Sequence, residues 1–342
     1  MPLTLALFCG NAHSDAEDSS KDGVRVEEAH IRFTYIDIIT SASTDAIDAL
    51  TTASRHNEAG TIMIDTRVKA TDDDTLKFTY GGHGEEWFAS VFGGVGYTRD
   101  LAQDNATITA RIDGSFDWFT PYGPWPRRIV PLTRKFDFRG GLSGSVEVSQ
   151  ILSPTTLVKA GYGIAWQKGA LLTPWNSVPF LCNPDVTECF ARLQEQFPGT
   201  RLKQTVSGLL AQHIPRTSTT VRLSYRFFAD DYDVRAHTLL GEIYQYVTER
   251  AYISAHYRAH RQTAVYFWTT NLGLADFDPG APRTSDSDLA EFWAHEWGAK
   301  VLFHITPPGR PRQHDIDVYF NRYTRTNNLS VNVGSIGYGY NF

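Results

Sequence analysis

The sequence predicts an all-β protein, a transmembrane antiparallel β-barrel with an N-terminal plug segment, on three observations. Long segments alternate apolar with polar residues, as strands between lipid and a polar lumen do. No run approaches the roughly 20 apolar residues that a membrane helix needs, and aromatic residues make up 13% of the chain. Residues 336–342 alternate up to a terminal phenylalanine, the pattern expected of the last strand of an outer-membrane barrel.

The chain begins with an apolar stretch, residues 2–8, which we interpret as part of a signal peptide remnant covering residues 1–12. A lipoprotein signal at Cys9 is the weaker interpretation, because Phe8 is larger than the residues that precede a lipidated cysteine. Residues 13–59 are expected to form a periplasmic or plug segment, and residues 60–342 the barrel. The expected location is the bacterial outer membrane.

Alternation is clearest in segments 107–116, 221–227, 253–260 and 315–321. In each, one face is apolar and expected to contact lipid, and the other is polar and expected to line the lumen. The basic side chains that we assign to the lumen are Arg67, Arg111, Arg139, Arg222, Arg226, Arg258 and His256. Their expected partners are the carboxylates of Asp65, Asp113, Asp117, Asp315 and Asp317.

The long connections are expected at one end of the barrel. If the last strand ends in the periplasm and residues 250–270 form one long strand, the loops at 120–134, 168–200 and 275–290 all fall outside the cell, as outer-membrane barrels require. We count about 12 strands between residues 60 and 342. The alternative is about 14 strands, which applies if residues 30–38 join the wall and the acidic residues 72–74 form a turn.

Cys182 and Cys189 lie in one loop and are expected to form a local disulfide in an oxidising compartment. A metal site at this pair is less favoured, because no histidine is close in sequence. His256 and His260 share a strand face, but no third ligand is evident, so ordinary hydrogen bonding is the better interpretation. We therefore predict no metal site.

A short pattern occurs twice near the N-terminus. Both copies consist of an aspartate, a threonine three residues later and a serine three residues after that, and they comprise Asp37, Thr40 and Ser43, then Asp48, Thr51 and Ser54. The pattern resembles the site modified by ApbE-type flavin transferases, which attach FMN through a phosphoester to the last hydroxyl residue. The resemblance implies that Ser43 and Ser54 accept covalent FMN. The alternative is a plug, or a first strand, rich in small residues.

The chain as a whole resembles a domain-of-unknown-function family of outer-membrane barrels. The resemblance rests on the doubled pattern and on blocks at 148–156, 169–175, 195–201, 221–231 and 256–267. Genes of this family often accompany ApbE-type flavin transferases and a small flavinylated lipoprotein. The resemblance therefore implies flavin-based electron transfer at the outer membrane, with these two proteins and outer-membrane lipid as partners. It implies no enzyme activity.

Two other functions remain open. The chain could be a porin-like diffusion channel that residues 31–58 constrict, or a scaffold barrel for a surface lipoprotein, in both cases without a cofactor. The net charge of -6 argues against nucleic acid as a partner. An outer-membrane hydrolase is less favoured, because it would need a Ser–His–acid constellation near the barrel rim. His83, His213, His237 and His304 are candidates for its histidine, but the sequence gives no geometry for them.

Overall fold

A computed structural model describes residues 25–39, 56–85, 88–119, 137–172, 176–184, 186, 188–306 and 313–341. In these residues the protein is all-β, as the alternation predicts, apart from one short 3-10 turn at Pro215–Thr217. No helix in this part of the chain is both long and apolar enough to span a membrane.

The strands are long and follow one another along the chain. Their bounds are β1 Arg25–Ile39, β2 His56–Lys69, β3 Asp74–Glu85, β4 Phe88–Leu101, β5 Ala106–Phe119, β6 Asp137–Ser153, β7 Thr156–Gly169, β8 Ser177–Cys182, β9 Cys189–Gln194, β10 Thr200–Ile214, β11 Thr219–Asp230, β12 Arg235–Thr248, β13 Ala251–Gln262, β14 Phe292–His304, β15 Gln313–Arg325 and β16 Ser330–Asn341.

Fourteen of these strands form one antiparallel sheet in which each strand pairs with the next, while β8 and β9 form a separate hairpin between β7 and β10. The main sheet thus has two strands more than the 12 predicted, and both conditions for the alternative count hold. Residues 30–38 belong to β1, and residues 70–73 form the turn between β2 and β3. Within the described residues β1 and β16 are not paired with each other, so the sheet is open along this seam.

The predicted boundary at residue 60 does not mark the start of the sheet. β1 pairs with β2 from Arg25, opposite Lys69, to Ile39, opposite His56. Residues 25–39 and 56–59, assigned from sequence to the plug segment, are therefore strand residues. The rest of that segment, and the signal peptide remnant, lie outside the described residues.

The two faces of the sheet differ as the alternation predicts, because successive side chains of a strand point to opposite sides. On β5, Ile108, Ile112 and Phe116 are exposed on one face, with relative accessibilities of 37%, 63% and 48%. On the other face of the same strand, Arg111 and Asp113 form an ion pair. Large apolar side chains are exposed in the same way on each strand of the main sheet from β2 to β16.

The longest connections lie at one end of the sheet, which we call the loop end, and the opposite end is the turn end. The turn end carries the connections at 70–73, 102–105, 154–155, 215–218, 249–250 and 305–312. The loop end carries those at 170–199, 231–234, 263–291 and 326–329. Two of the predicted long loops, 168–200 and 275–290, therefore share one end. The third, 120–134, lies outside the described residues, but the strands that flank it pair there, with Phe119 opposite Asp137.

A buried apolar cluster lies at the loop end of the sheet. Tyr232, Val234, Val265 and Phe267 form this cluster and belong to two connections, and Leu171 and Phe197 from a third connection pack against it. We call the connections 170–199, 231–234 and 263–291 the loop cap. A disulfide between Cys182 and Cys189, the pair that the sequence predicts, closes the β8–β9 hairpin within it. Burial raises the pKa of Tyr232, whose hydroxyl donates to Pro198 O at 2.8 Å.

One glycine permits the chain to leave the sheet for the loop cap. Gly169, the last residue of β7, has a φ of 123°, and a Cβ there would lie 2.2 Å from Phe138 O. An L side chain rarely adopts this backbone conformation, so the exit from β7 requires glycine.

Candidate functional site

The polar face of the sheet borders an open cavity of about 990 Å³. Side chains from β6, β7 and β10 to β15 line it, so the sheet must curve around it. Because the polar faces of eight strands converge there, this cavity is the best candidate for a functional site within the described residues. We call it the lumen cavity.

Arg222, one of the cationic side chains of the cavity, forms an ion pair with a carboxylate on the neighbouring strand. Arg222 on β11 lies opposite Glu242 on β12, which lies opposite His256 on β13. The Nε atom of Arg222 is 3.7 Å from Glu242 Oε2, and the hydroxyl of Tyr244 donates to Glu242 Oε1 at 2.9 Å. Glu242 is the carboxylate that balances Arg222.

Glu296 on β14 organises the neighbouring part of the cavity. Arg258 donates to its Oε2 at 2.9 Å, and the amide of Asn321 donates to its Oε1, also at 2.9 Å. His256 Nε2 lies 3.6 Å from the same Oε1. The imidazole of His256 is also stacked against the ring of Tyr319, at 6.3 Å between centroids. One carboxylate therefore positions a guanidinium, an amide and an imidazole.

The cavity has an excess of positive charge. Its lining contains the cations Lys159, Arg222, Arg226, Arg258 and Lys300, and the carboxylates Glu147, Glu242 and Glu296. Lys159 pairs with Glu147 at 3.0 Å, and Lys300 pairs with Asp317, which lies outside the lining, at 3.2 Å. Arg226 makes no ion pair among the residues that the structure describes. It lies between Ser207 and Thr238 on the adjacent strands. The cavity is thus suited to anions.

A second charged region lies on the same face near β3 to β7. Arg111 pairs with Asp113, with Nε–Oδ distances of 2.8 and 2.7 Å, beside a smaller cavity of about 280 Å³. Arg139 Nε donates to Asp117 at 2.6 Å. The structure therefore brings together Arg222, Arg226, Arg258 and His256, but it places Arg111 apart from them.

Sequence reasoning missed three members of the site, namely Glu242, Glu296 and Lys300. All three lie on the lumen face of their strands, and the period of two in β12 and β14 is the signal that could have identified them. The prediction that five aspartates pair with arginines was partly right. Asp113 and Asp117 do pair with arginines. Asp65 pairs instead with Lys77, at 3.3 Å, and Asp315 with His304, at 2.6 Å.

The doubled N-terminal pattern falls mostly outside the described residues. Asp37 lies in β1, where it is opposite Glu58 on β2. Thr40, Ser43, Asp48, Thr51 and Ser54 lie outside. The residues that flank this connection, Ile39 and His56, pair at the loop end of the sheet. The connection therefore starts and ends at the same end as the loop cap.

Within the described residues, no group of three or more histidine, cysteine or acidic side chains could hold a metal ion. His260, which shares a strand face with His256, hydrogen bonds through Nδ1 to Thr238 Oγ1 at 2.8 Å. Its Nε2 lies 3.3 Å from Gln262 Oε1. Both ring nitrogens thus have protein partners.

Several solved structures resemble this chain at low sequence identity and with TM-scores below 0.5. A "Bacterial polysaccharide outer membrane secretin" has a TM-score of 0.47 and 8% identity, over 94% of this chain and 86% of that chain. The siderophore receptor PirA from Acinetobacter baumannii has a TM-score of 0.47 and 11% identity, over 90% of this chain and 52% of that chain. BamA from Haemophilus ducreyi, lacking POTRA domains 1-3, has a TM-score of 0.41 and 7% identity, over 98% of this chain and 71% of that chain.

A search of curated proteins found no match. A family described as "Protein of unknown function (DUF3570)" matches residues 56–338, which is most of the chain and includes the main-sheet strands from β2 to β15 and most of β16. The chain belongs to the DUF3570 family.

Proposed function

We propose that this protein is a β-barrel of the bacterial outer membrane with a polar, positively charged lumen. The observation that carries the proposal is the division of the 14-stranded sheet into two faces. Exposed apolar side chains cover one face, and ion pairs connect neighbouring strands on the other. In water an apolar face of this extent would need to pack against other protein, whereas in a membrane the lipid tails contact it directly.

The strand lengths support this proposal. The strands of the main sheet have 12 to 17 residues, which exceeds the roughly 9–11 that a tilted strand needs to cross the hydrocarbon core. In hydrocarbon an unpaired strand edge is costly, so we expect β1 and β16 to pair when the protein is in a membrane. Flotation of the refolded chain with phosphatidylcholine vesicles tests the proposal, and a chain that stays soluble without detergent would refute it.

Within this barrel we propose flavin-based electron transfer across or at the outer membrane, with FMN attached to Ser43, to Ser54 or to both. The doubled pattern supports this function, as does the positive charge of the lumen cavity. A guanidinium would stabilise the FMN phosphate or the anionic reduced flavin. An ApbE-type transferase would attach the flavin, and a small flavinylated lipoprotein is the proposed redox partner.

Intact mass of the mature protein after co-expression with an ApbE-type transferase tests flavin attachment. We expect a mass increment of one or two FMN groups, which Ser43→Ala and Ser54→Ala remove one at a time. Ser41→Ala is the matched control, because Ser41 is a serine between Thr40 and Ser43 that the resemblance does not assign as an acceptor. A wild-type chain without any increment would refute flavin attachment.

A diffusion channel is the second candidate, and the lumen cavity favours it. Arg226, which makes no ion pair in the described residues, faces a cavity large enough for a small organic anion. Conductance in planar bilayers with a preference for anions over cations would support a channel. A closed or cation-selective barrel would argue against it, and pull-down of a lipoprotein from native membranes would then favour a scaffold.

A further inference from the structure

We propose that the outer face of the sheet, at the loop end between β12 and β15, binds the phosphate groups of an outer-leaflet lipid. This inference rests on the proposed membrane location. The residues that form the site are His237, Arg261, Trp293, His295, Trp297 and Arg322, which we call the basic belt. None of them belongs to the lumen cavity.

The strand register brings these residues together. His237 lies opposite Arg261, and Arg261 lies opposite Trp293. Four residues further along β14 towards the turn end, Trp297 lies opposite Arg322. Residues opposite each other on paired strands point to the same face, and the accessibilities of Trp293 and Trp297, 44% and 48%, identify this face as the exposed one.

The two arginines of the basic belt have little compensating negative charge. The Arg261 guanidinium lies 5.2 Å from the centroid of the Trp293 ring. Its one acidic neighbour in the described residues, Glu291, is 3.7 Å away, and both side chains are more than half exposed. Arg322 makes no ion pair in the part of the chain that the structure describes, and its other cross-strand neighbour is the neutral Asn332.

Each histidine of the basic belt is held on the surface by a tyrosine. The hydroxyl of Tyr225 is 2.7 Å from His237 Nδ1, and the hydroxyl of Tyr257 is 2.8 Å from His295 Nδ1. His295 is also stacked on Trp293, at 6.4 Å between centroids. Aromatic rings with a polar group are enriched where a membrane protein meets the lipid headgroups.

The position of the basic belt along the strands matches the headgroup level. Towards the turn end, β14 and β15 present only apolar pairs on this face, namely Ala299 with Phe320, Val301 with Val318 and Phe303 with Ile316. Towards the loop end, β14 begins at Phe292, directly after the loop cap. A lipid whose tails cover the apolar rows would thus place its phosphates beside Arg261 and Arg322. Arginine binds phosphate through two parallel hydrogen bonds, which makes it well suited to this contact.

Native mass spectrometry of the detergent-solubilised full chain, titrated with bis-phosphorylated lipid A, tests the proposal. We expect Arg261→Gln with Arg322→Gln to weaken binding about tenfold. The matched control is Arg99→Gln, because Arg99 lies on β4 near the turn end and pairs with Asp74 at 3.9 Å. Monophosphoryl lipid A should bind the wild-type chain more weakly than the bis-phosphorylated form.

The outcomes separate this inference from the membrane proposal. If the double variant and the wild type both float with phosphatidylcholine vesicles and also bind lipid A with the same affinity, the lipid site is refuted and the barrel proposal stands. If neither chain floats, both proposals fail. Equal loss of binding in Arg99→Gln would also refute the site, because a general charge effect would explain it.

Discussion

Gly298 on β14 lies directly opposite His256 on β13, and its lack of a side chain leaves the space that the imidazole ring occupies. A Cβ at Gly298 would lie 2.5 Å from His256 Cε1 and 2.6 Å from the backbone oxygen of Phe320. The glycine thus allows His256 to approach Glu296 and Tyr319 on the lumen face.

Gly298→Ala should destabilise the protein, because the new methyl group must displace both the imidazole and the backbone of β15. We expect a cost of about 1–3 kcal/mol in the free energy of unfolding, measured by urea unfolding of the chain in lipid vesicles. Gly241→Ala is the control, because a Cβ at Gly241 on β12 would contact nothing within 4 Å. Equal stability of the two variants would contradict the role of Gly298.

Removing charges of opposite sign from the lumen cavity should shift ion selectivity in opposite directions. Arg226→Gln removes a cation that has no ion-pair partner in the described residues, so anion preference should fall. Glu296→Gln leaves Arg258 without its carboxylate, so anion preference should rise. Reversal potentials in planar bilayers under a salt gradient measure both effects. Shifts in the same direction would contradict the assignment of these side chains to the conducting lumen.

Loss of the disulfide should loosen the loop cap and leave the sheet intact. Cys182→Ser with Cys189→Ser releases the β8–β9 hairpin, which is paired separately from the main sheet. We expect faster proteolysis within residues 177–194, measured by limited digestion and mass spectrometry, with an unchanged strand content by circular dichroism. The wild-type chain under reducing conditions should behave like the double variant, and loss of the sheet in either sample would contradict this prediction.

The loop cap should also weaken at high pH because of Tyr232. Burial raises its pKa above the ordinary value of 10.0, so the folded cap favours the neutral phenol. The contribution of the neutral Tyr232 phenol to the stability of the loop cap is complete below pH 10.0. This contribution is lost as the pH rises towards the pKa of Tyr232 in the folded protein. Tyr232→Phe should remove this dependence and cost about 1 kcal/mol through loss of the hydrogen bond to Pro198.

Limited proteolysis of the loop cap between neutral and alkaline pH measures this effect. Tyr266→Phe is the matched control, because Tyr266 lies in the same cap but is 56% exposed. Wild-type protein that shows the same alkaline sensitivity as Tyr232→Phe would contradict the assignment to Tyr232.

The number of strands could not be predicted from the alternation alone. In the sequence, residues 31–35 alternate apolar with polar residues in the same way as the other strands. The doubled pattern that follows favoured a plug, and only the pairing of β1 with β2 along its whole length assigned this segment to the sheet. A strand is stabilised by its partner, and the sequence of one strand does not identify that partner.

Alternation along the chain is enough to predict the all-β class and the face on which each side chain lies, because side-chain direction along a strand is a local property with a period of two. It therefore predicted that Arg222, Arg258 and His256 share the polar face. Which charges meet depends on how the strands pair in three dimensions. Glu296 is far from Arg258 in sequence, and their contact depends on the register between β13 and β14. Register is set by the packing and turns of the whole sheet, so a shift of one residue would have separated every pair of the lumen cavity.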